Sequence, residues 1–300
     1  MAIVMNDLVG KVQDELYILL DREVRPYRYR DSSMVNAAFE KSLDVINKML
    51  DGKFRGKFFK YGNLKLDTNI ARFTLPEVIT CNHSCPGCYA KKMPYKAVKL
   101  FRLSNLIITL YALRDTTFKE KLLQVIHKEL DKHKEKCKKI NRVPIFRFHD
   151  SGDIFSSYYL KFMIDIVMQN PDIKFYGYTK NYDAYKEYED VKRTMKFTNF
   201  NIVNSVIENC FINYFDFIHS FKTEFAKFKD MIKILRAKGK KVFVCNYNLD
   251  RLFKENRFGY KMLLGYMLSN KDVISFADGH SVCGICTACC DFEYTVFIKH

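Results

Sequence analysis

The sequence predicts an α/β protein, and three observations lead there. From residue 71 onward, short apolar or β-branched runs alternate with long stretches of helical periodicity. Polar clusters fall at the ends of those runs. The chain has 300 residues and is 48% hydrophobic, enough to bury a sizeable core. The strand-like runs are 71–80, 143–149, 173–179, 200–207, 241–247 and 272–277. Between them lie helical stretches near 96–114, 117–138, 156–169, 182–195, 220–238 and 256–268. Such alternation implies parallel strands joined by right-handed crossovers. Six units are two short of a closed eight-unit barrel, and an open doubly wound sheet is the competing layout. Both gather chemistry at the C-terminal ends of the strands.

The elements before residue 71 read differently. Residues 3–20 and 32–50 carry apolar positions at three- and four-residue spacing, so both are expected to be helices. Asp31-Ser32-Ser33 can cap the second. A basic turn, DGKFRGK, follows at 51–57. The expected organisation is an N-terminal helical extension (1–70), a β/α region (71–280) and a C-terminal Cys-rich segment (281–300).

Composition narrows the function classes. The formal net charge is +16 and the pI about 9.3, which favours phosphate-rich or acidic partners. The richness in Lys, Asn, Ile, Phe and Tyr with no Trp also matches an AT-rich coding sequence, so composition alone does not assign the charge to a nucleic-acid partner. The acidic, amphipathic N-terminus lacks the features of a signal peptide. The longest apolar patch, LIITLYAL at 106–113, is too short to span a bilayer. A cytoplasmic, reducing location without membrane attachment is expected. In such a location clustered cysteines bind metal more readily than they pair.

Ten cysteines are present, seven of them in two tight clusters. The first cluster is CNHSCPGCYA, with Cys81, Cys85 and Cys88 spaced C-x3-C-x2-C directly after the first strand-like run. Three soft thiolates this close suit zinc or an iron–sulfur cluster. No second cysteine pair lies nearby to complete a zinc finger, and His83 has little slack to serve as a fourth ligand. A cubane held by three thiolates keeps one iron open. The spacing and its position after the first strand resemble the radical SAM superfamily. CNHSCPGCYA, RFHDSGDIFS and FYGYTKN, in that order, resemble a phage-borne family of radical-SAM-like proteins.

The resemblance implies a partial (β/α)6 TIM-type barrel. It also implies a [4Fe-4S] cluster on Cys81, Cys85 and Cys88 whose open iron takes S-adenosylmethionine. Reductive cleavage of that cofactor yields a 5′-deoxyadenosyl radical that abstracts hydrogen from a substrate. The family usually places an aromatic residue before the third cysteine; here Gly87 stands there and Tyr89 follows. Asp150-Ser151-Gly152-Asp153, after the second strand, resembles the turn that binds the cofactor's amino group. Gly permits close backbone approach, and Asp accepts hydrogen bonds from an ammonium. The same turn also reads as a helix cap. Thr179-Lys180-Asn181 resembles the polar turn near the nucleoside, with Lys180 also a catalytic candidate. Arg147 and His149 alternate along the second strand and are expected on one side. Arg147 is a candidate for the cofactor carboxylate. His149 is either a catalytic group or a satisfied core histidine.

The second cluster, VCGICTACC, holds Cys283, Cys286, Cys289 and Cys290. Its C-x2-C-x2-C spacing resembles the start of a ferredoxin run. It reads as a second [4Fe-4S] cluster or as structural zinc. Cys137, within HKEKCKK, is expected to be a surface thiol. The stretch KFRGKFFKYG (53–62) interleaves cations with aromatics, a pattern suited to phosphate contact and base stacking. Two functions follow. One is a radical SAM enzyme acting on a substrate that includes nucleic acid among its candidates, fed by an electron donor such as flavodoxin or ferredoxin. The other is a non-enzymatic, metal-stabilised nucleic-acid-binding protein.

Overall fold

The computed structural model describes residues 2–21, 32–62, 67–81 and 96–204, and strands at 241–245, 273–275 and 294–298. Two helices come first, α1 (Ala2–Asp21) and α2 (Ser32–Leu50). A short strand β1 (Lys60–Tyr61) and β2 (Ile70–Phe73) follow, then α3 (Lys96–Arg114) and α4 (Thr116–Lys139). The chain continues through β3 (Ile145–Phe148), α5 (Ser157–Met168), β4 (Lys174–Thr179), α6 (Tyr182–Met195) and β5 (Phe200–Asn204). Strands β6 (Lys241–Cys245), β7 (Val273–Ser275) and β8 (Tyr294–Ile298) complete the described elements.

The fold is mixed α/β. Strands β1 to β5 form one sheet in chain order, with β2 to β5 parallel and β1 antiparallel at the edge. A second, three-stranded parallel sheet has the order β7-β6-β8, and β8 also runs close to β5. The helical stretches expected at 220–238 and 256–268 lie outside the described residues. Among the described residues no helix is long and apolar enough to cross a membrane.

Local sequence explains the helix starts. Asp115 accepts from Phe118 N at 2.8 Å, Ser156 from Tyr159 N at 3.2 Å and Asn181 from Ala184 N at 3.2 Å, each capping the helix that follows. Helix α2 buries Met34, Val35, Ala38, Phe39, Ser42, Ile46 and Met49, one stripe at helical spacing. That stripe joins α1, α3, α4 and α5 in a single core over one face of the five-stranded sheet. The sheet contributes Phe73, Phe146, Phe148, Phe175 and Phe200 to this face. Ring centroids lie 4.9 Å apart for Phe146–Phe148, 5.4 Å for Phe146–Phe175 and 5.5 Å for Phe148–Phe200. Phe58 and Phe59, from the strip before β1, enter the same core, with Phe59 4.7 Å from Phe146.

Two expectations are corrected here. The first strand stops at Phe73, and residues 74–81 form a turn rather than further strand. The run TLPEVIT looks β-like because it is β-branched, but Pro76 lacks the N–H that a central strand needs. Cys137 is fully buried, not a surface thiol. It lies one helical turn from the buried His133, whose Nε2–H donates to Asn69 O at 3.0 Å. Burial pushes the Cys137 thiol up and the His133 imidazole down, so both stay neutral.

Truncating the aromatic ladder is expected to be costly. Phe146→Ala removes a side chain in contact with three other rings and should cost about 3–5 kcal/mol. Tyr158→Ala, at a position 73% exposed, should change stability by less than about 0.5 kcal/mol. Urea unfolding of both variants checks the difference.

Candidate functional site

The polar clusters after the first three strand-like runs meet as one rim; those after the later runs lie outside the described residues. Three loops build it: residues 74–81 after β2, 149–156 after β3 and 179–181 after β4. Leu75 N donates to Ser151 O at 3.0 Å, and His149 N donates to Phe73 O at 3.1 Å. These bonds continue the β2–β3 ladder beyond the last residue of each strand.

Gly152 sits where the first two loops touch. Its φ is +87°, and a Cβ there would lie 2.7 Å from Leu75 Cβ and 2.8 Å from Thr80 Oγ1. The glycine is therefore required by the approach of this chain's own loop. Thr80 Oγ1 donates to Pro76 O at 2.7 Å and accepts from Asp153 N at 3.2 Å. Asp153 then reaches the third loop. Its carboxylate accepts from Thr179 Oγ1 at 2.6 Å, Lys180 N at 2.9 Å and Ile154 N at 2.7 Å. Both oxygens of Asp153 are thus engaged inside the protein, and the residue acts as a brace. Burial raises its pKa, against the lowering effect of those hydrogen bonds. Thr179 Oγ1 in turn accepts from Asn181 N at 3.0 Å, and Asn181 Nδ2 donates to Ile154 O at 3.1 Å.

A buried ion pair anchors the loop that carries Cys81. Arg102 Nη1 of α3 donates to Glu77 Oε2 at 2.7 Å, with both side chains 4% exposed. Ser151 Oγ donates to the same oxygen at 3.2 Å. Val78 next to this pair has a φ of 74°, an uncommon conformation for a β-branched residue. Cys81 N donates to Val78 O at 3.2 Å. Cys81 is half-buried at the rim. Cys85, Cys88 and Tyr89 lie outside the described residues, as do Cys283, Cys286, Cys289 and Cys290. Among the described residues no group of three His, Cys, Asp or Glu side chains gathers as a metal site.

The face of the sheet away from the helices carries the remaining candidates. Register places Arg72, Arg147, Tyr176 and Asn201 side by side across β2, β3, β4 and β5. Arg72 forms an ion pair with Asp150 at the rim. The Arg147 guanidinium lies 5.2 Å from the centre of the Tyr178 ring. Arg72, Tyr176 and Asn201 were not expected from the sequence. The signal for Arg72 was present, since it alternates with Ile70 in a buried strand just as Arg147 alternates with Ile145. Glu77 and Arg102, 25 residues apart, left no local pattern.

Arg147 and His149 do not share a side. His149 has a φ of 59°, so the strand alternation breaks there. The ring turns toward the helix layer, where Nε2 meets Tyr159 Oη at 2.7 Å. Burial, reinforced by the Arg147 charge, lowers its pKa to about 3. His149 is a neutral, buried histidine. Nδ1 is buried with no hydrogen-bond partner among the described residues. Lys180 stays half-buried at the rim, its backbone bound to Asp153.

A parallel α/β sheet with a braced rim at the C-terminal strand ends and a cysteine on that rim defines the class. The chain belongs to the Gene product 88 family, which matches residues 48–257. That span includes Cys81, Cys85, Cys88 and all three rim loops, and stops before the cysteines at 283–290. No curated protein and no solved structure matches the chain.

Two variants test this geometry. Gly152→Ala adds both a contact clash and a left-handed penalty, and should cost about 2–4 kcal/mol. Gly52→Ala, at φ +69° with nothing within 4 Å, should cost only about 1 kcal/mol. Thermal or urea unfolding of the pair isolates the contact with Leu75 and Thr80. The depressed pKa of His149 gives stability that is present above about pH 6.5 and lost progressively toward about pH 3, because the unfolded chain binds the proton first. His149→Asn retains tolerance for positive φ. Between pH 7 and pH 5 it should lose about 2 kcal/mol less stability than the wild type. Unfolding midpoints at the two pH values check the sign.

Proposed function

We propose that this chain is a radical SAM enzyme whose six β/α units form a partial barrel around the face bearing Arg147 and Tyr178. One observation carries the reading: Cys81, first of a C-x3-C-x2-C triplet, stands at the strand-end rim beside the Ser151-Gly152-Asp153 turn. The donor chemistry fits a [4Fe-4S] cluster. Three thiolates leave one iron open, and Cys81 is half-buried at the rim, in contrast to the sealed, neutral Cys137. Cys81, Cys85 and Cys88 would hold the cluster. When bound, that group supplies the electron for reductive cleavage of S-adenosylmethionine and hence for hydrogen abstraction from a substrate.

The chain's own residues bind, orient and shield. The Glu77–Arg102 pair fixes the start of the cysteine loop without exposing charge to the site. Asp153 keeps Thr179 and the Lys180 backbone against the turn after β3. Arg147, held over Tyr178, offers a guanidinium to a carboxylate on the open face of the sheet. Cys283, Cys286, Cys289 and Cys290 would hold a second [4Fe-4S] cluster or a zinc ion. A cytoplasmic setting, with flavodoxin or ferredoxin as electron donor, matches these thiolates. The polar sheet face is a specific point in favour of an enzyme over a zinc-stabilised binding protein, because a purely structural metal gives no reason to place two half-buried arginines there.

Anaerobic purification with iron, sulfide and zinc analysis tests the reading. About four or eight irons per wild-type chain are expected, with about four lost in Cys81→Ala. Cleavage of S-adenosylmethionine to 5′-deoxyadenosine by the reduced wild type, and none by Cys81→Ala, should follow. One or two zinc ions per chain with no sulfide, after cluster reconstitution, would overturn the proposal.

A further inference from the structure

We propose that the last turns of α4 and the strip at 53–60 form one surface that binds the phosphate backbone of duplex nucleic acid. Positions 53–60 and 132–142 together hold ten of the chain's 50 Lys and Arg residues against a single carboxylate, Glu135. Compositional drift would spread this charge evenly. Instead α1 carries Asp7, Asp14, Glu15 and Asp21 against Lys11 alone.

The two basic segments are neighbours in space. Glu129 of α4 accepts from Phe58 N at 2.7 Å, Phe59 N at 3.2 Å and Tyr61 Oη at 3.0 Å. The Tyr61 ring lies 5.3 Å from the His133 ring, and Lys136 Nζ lies 5.8 Å from the Tyr61 ring centre. Residues 58–61 therefore run along the Glu129–His133–Lys136 face of the helix. Asp131 pairs with Lys134 at 2.8 Å and Asp51 with Lys53 at 2.9 Å, and Glu129 is spent on the Phe58 and Phe59 N–H groups and the Tyr61 hydroxyl. Lys132, Lys136, Lys138, Lys139 and Arg142 are exposed, as are Arg55, Lys57 and Lys60. Residues 132–139 span about 10 Å of helix, comparable to the spacing of a few successive phosphates.

The aromatic residues decide the kind of nucleic acid. Single strands are held by stacking bases on exposed rings. Phe58 and Phe59 are 4% and 2% exposed and belong to the core, so this surface presents cations without a stacking platform. That combination favours phosphate contacts on a duplex, independent of sequence. The end of α4 lies away from the chemistry, since α4 leads into the N-terminal end of β3, whereas the strip, antiparallel to β2, reaches back toward the rim end, with Lys60 Nζ 4.6 Å from the Phe101 ring centre. Together they form a docking surface that does not depend on what Cys81 holds.

Fluorescence anisotropy with a labelled 20-base-pair DNA duplex tests the proposal. Affinity should fall with salt on a log–log slope of about −4 to −5, reporting about five phosphate contacts. The variant Lys132→Gln, Lys136→Gln, Lys138→Gln, Lys139→Gln should bind about 100-fold more weakly at 100 mM salt and flatten the slope to about −1. A control with the same net charge, Lys121→Gln, Lys161→Gln, Lys186→Gln, Arg193→Gln, should lose less than about threefold. Cys81→Ala should bind the duplex as the wild type does, which separates this surface from the metal reading. Circular dichroism confirms that each variant is folded, and Lys138→Gln, Lys139→Gln alone serves if the larger variant is not. Equal losses in both quadruple variants would overturn the proposal. So would a slope near zero, a single strand that binds more tightly than the duplex, or binding only to phosphatidylserine vesicles.

Discussion

Asp153 lies buried between three loops, and its carboxylate accepts hydrogen bonds that hold two of them in place. An unsatisfied carboxylate at that depth would cost several kcal/mol. The three donors around it remove most of that cost and at the same time fix the turn after β3 against the turn after β4. Thr80 extends the same network to the loop after β2 through Asp153 N. The absence of a Cβ at Gly152 is what lets that loop come close enough. Without this contact the strand ends would still stand in register, but the loops above them would not share a rim.

The rim and the sheet below it divide the labour of the molecule. The helix-facing side of the sheet is aromatic and dry, with Phe146 and Phe148 at its centre. The opposite side places Arg72, Arg147, Tyr176 and Asn201 in one row. Charged groups in a parallel sheet are expensive, and such sheets are usually apolar on both faces. Their presence on one side sets that side apart from the helix-facing one. His149 stands at the boundary: its left-handed backbone turns the imidazole away from the arginine row and into the helix layer.

Charge is distributed with equal asymmetry. The α1 surface is acidic, while the end of α4 and the strip before β1 are strongly basic. Glu129 joins those last two segments by bonding to backbone N–H groups, so this carboxylate serves the fold. The end of α4 and the rim lie at opposite ends of β3.

Much of this was legible in the sequence. Period and alternation place α3, α5, α6, β3 and β4 within a residue or two of their expected bounds, because each is long or strongly patterned, and α5 and α6 also carry a side-chain cap. The clustering of polar residues at strand ends is likewise a local property, since each follows directly from where an apolar run stops. Other features depended on partners far along the chain. Phe58 and Phe59 look exposed within a basic stretch, yet they fill the core because Glu129 draws their backbone onto α4. Cys137 looks exposed among lysines, yet it faces inward beside His133. Asp153 and Gly152 read as ligand-binding residues, and only the approach of Leu75 and Thr80 shows that the turn is first a clasp between loops. The sequence by itself determined the α/β order, the cysteine spacing and the charge, all of which are properties of neighbours along the chain. The tertiary structure alone decided which buried charges pair, which aromatics are withdrawn and which way His149 turns, because those depend on contacts between segments that no local pattern encodes.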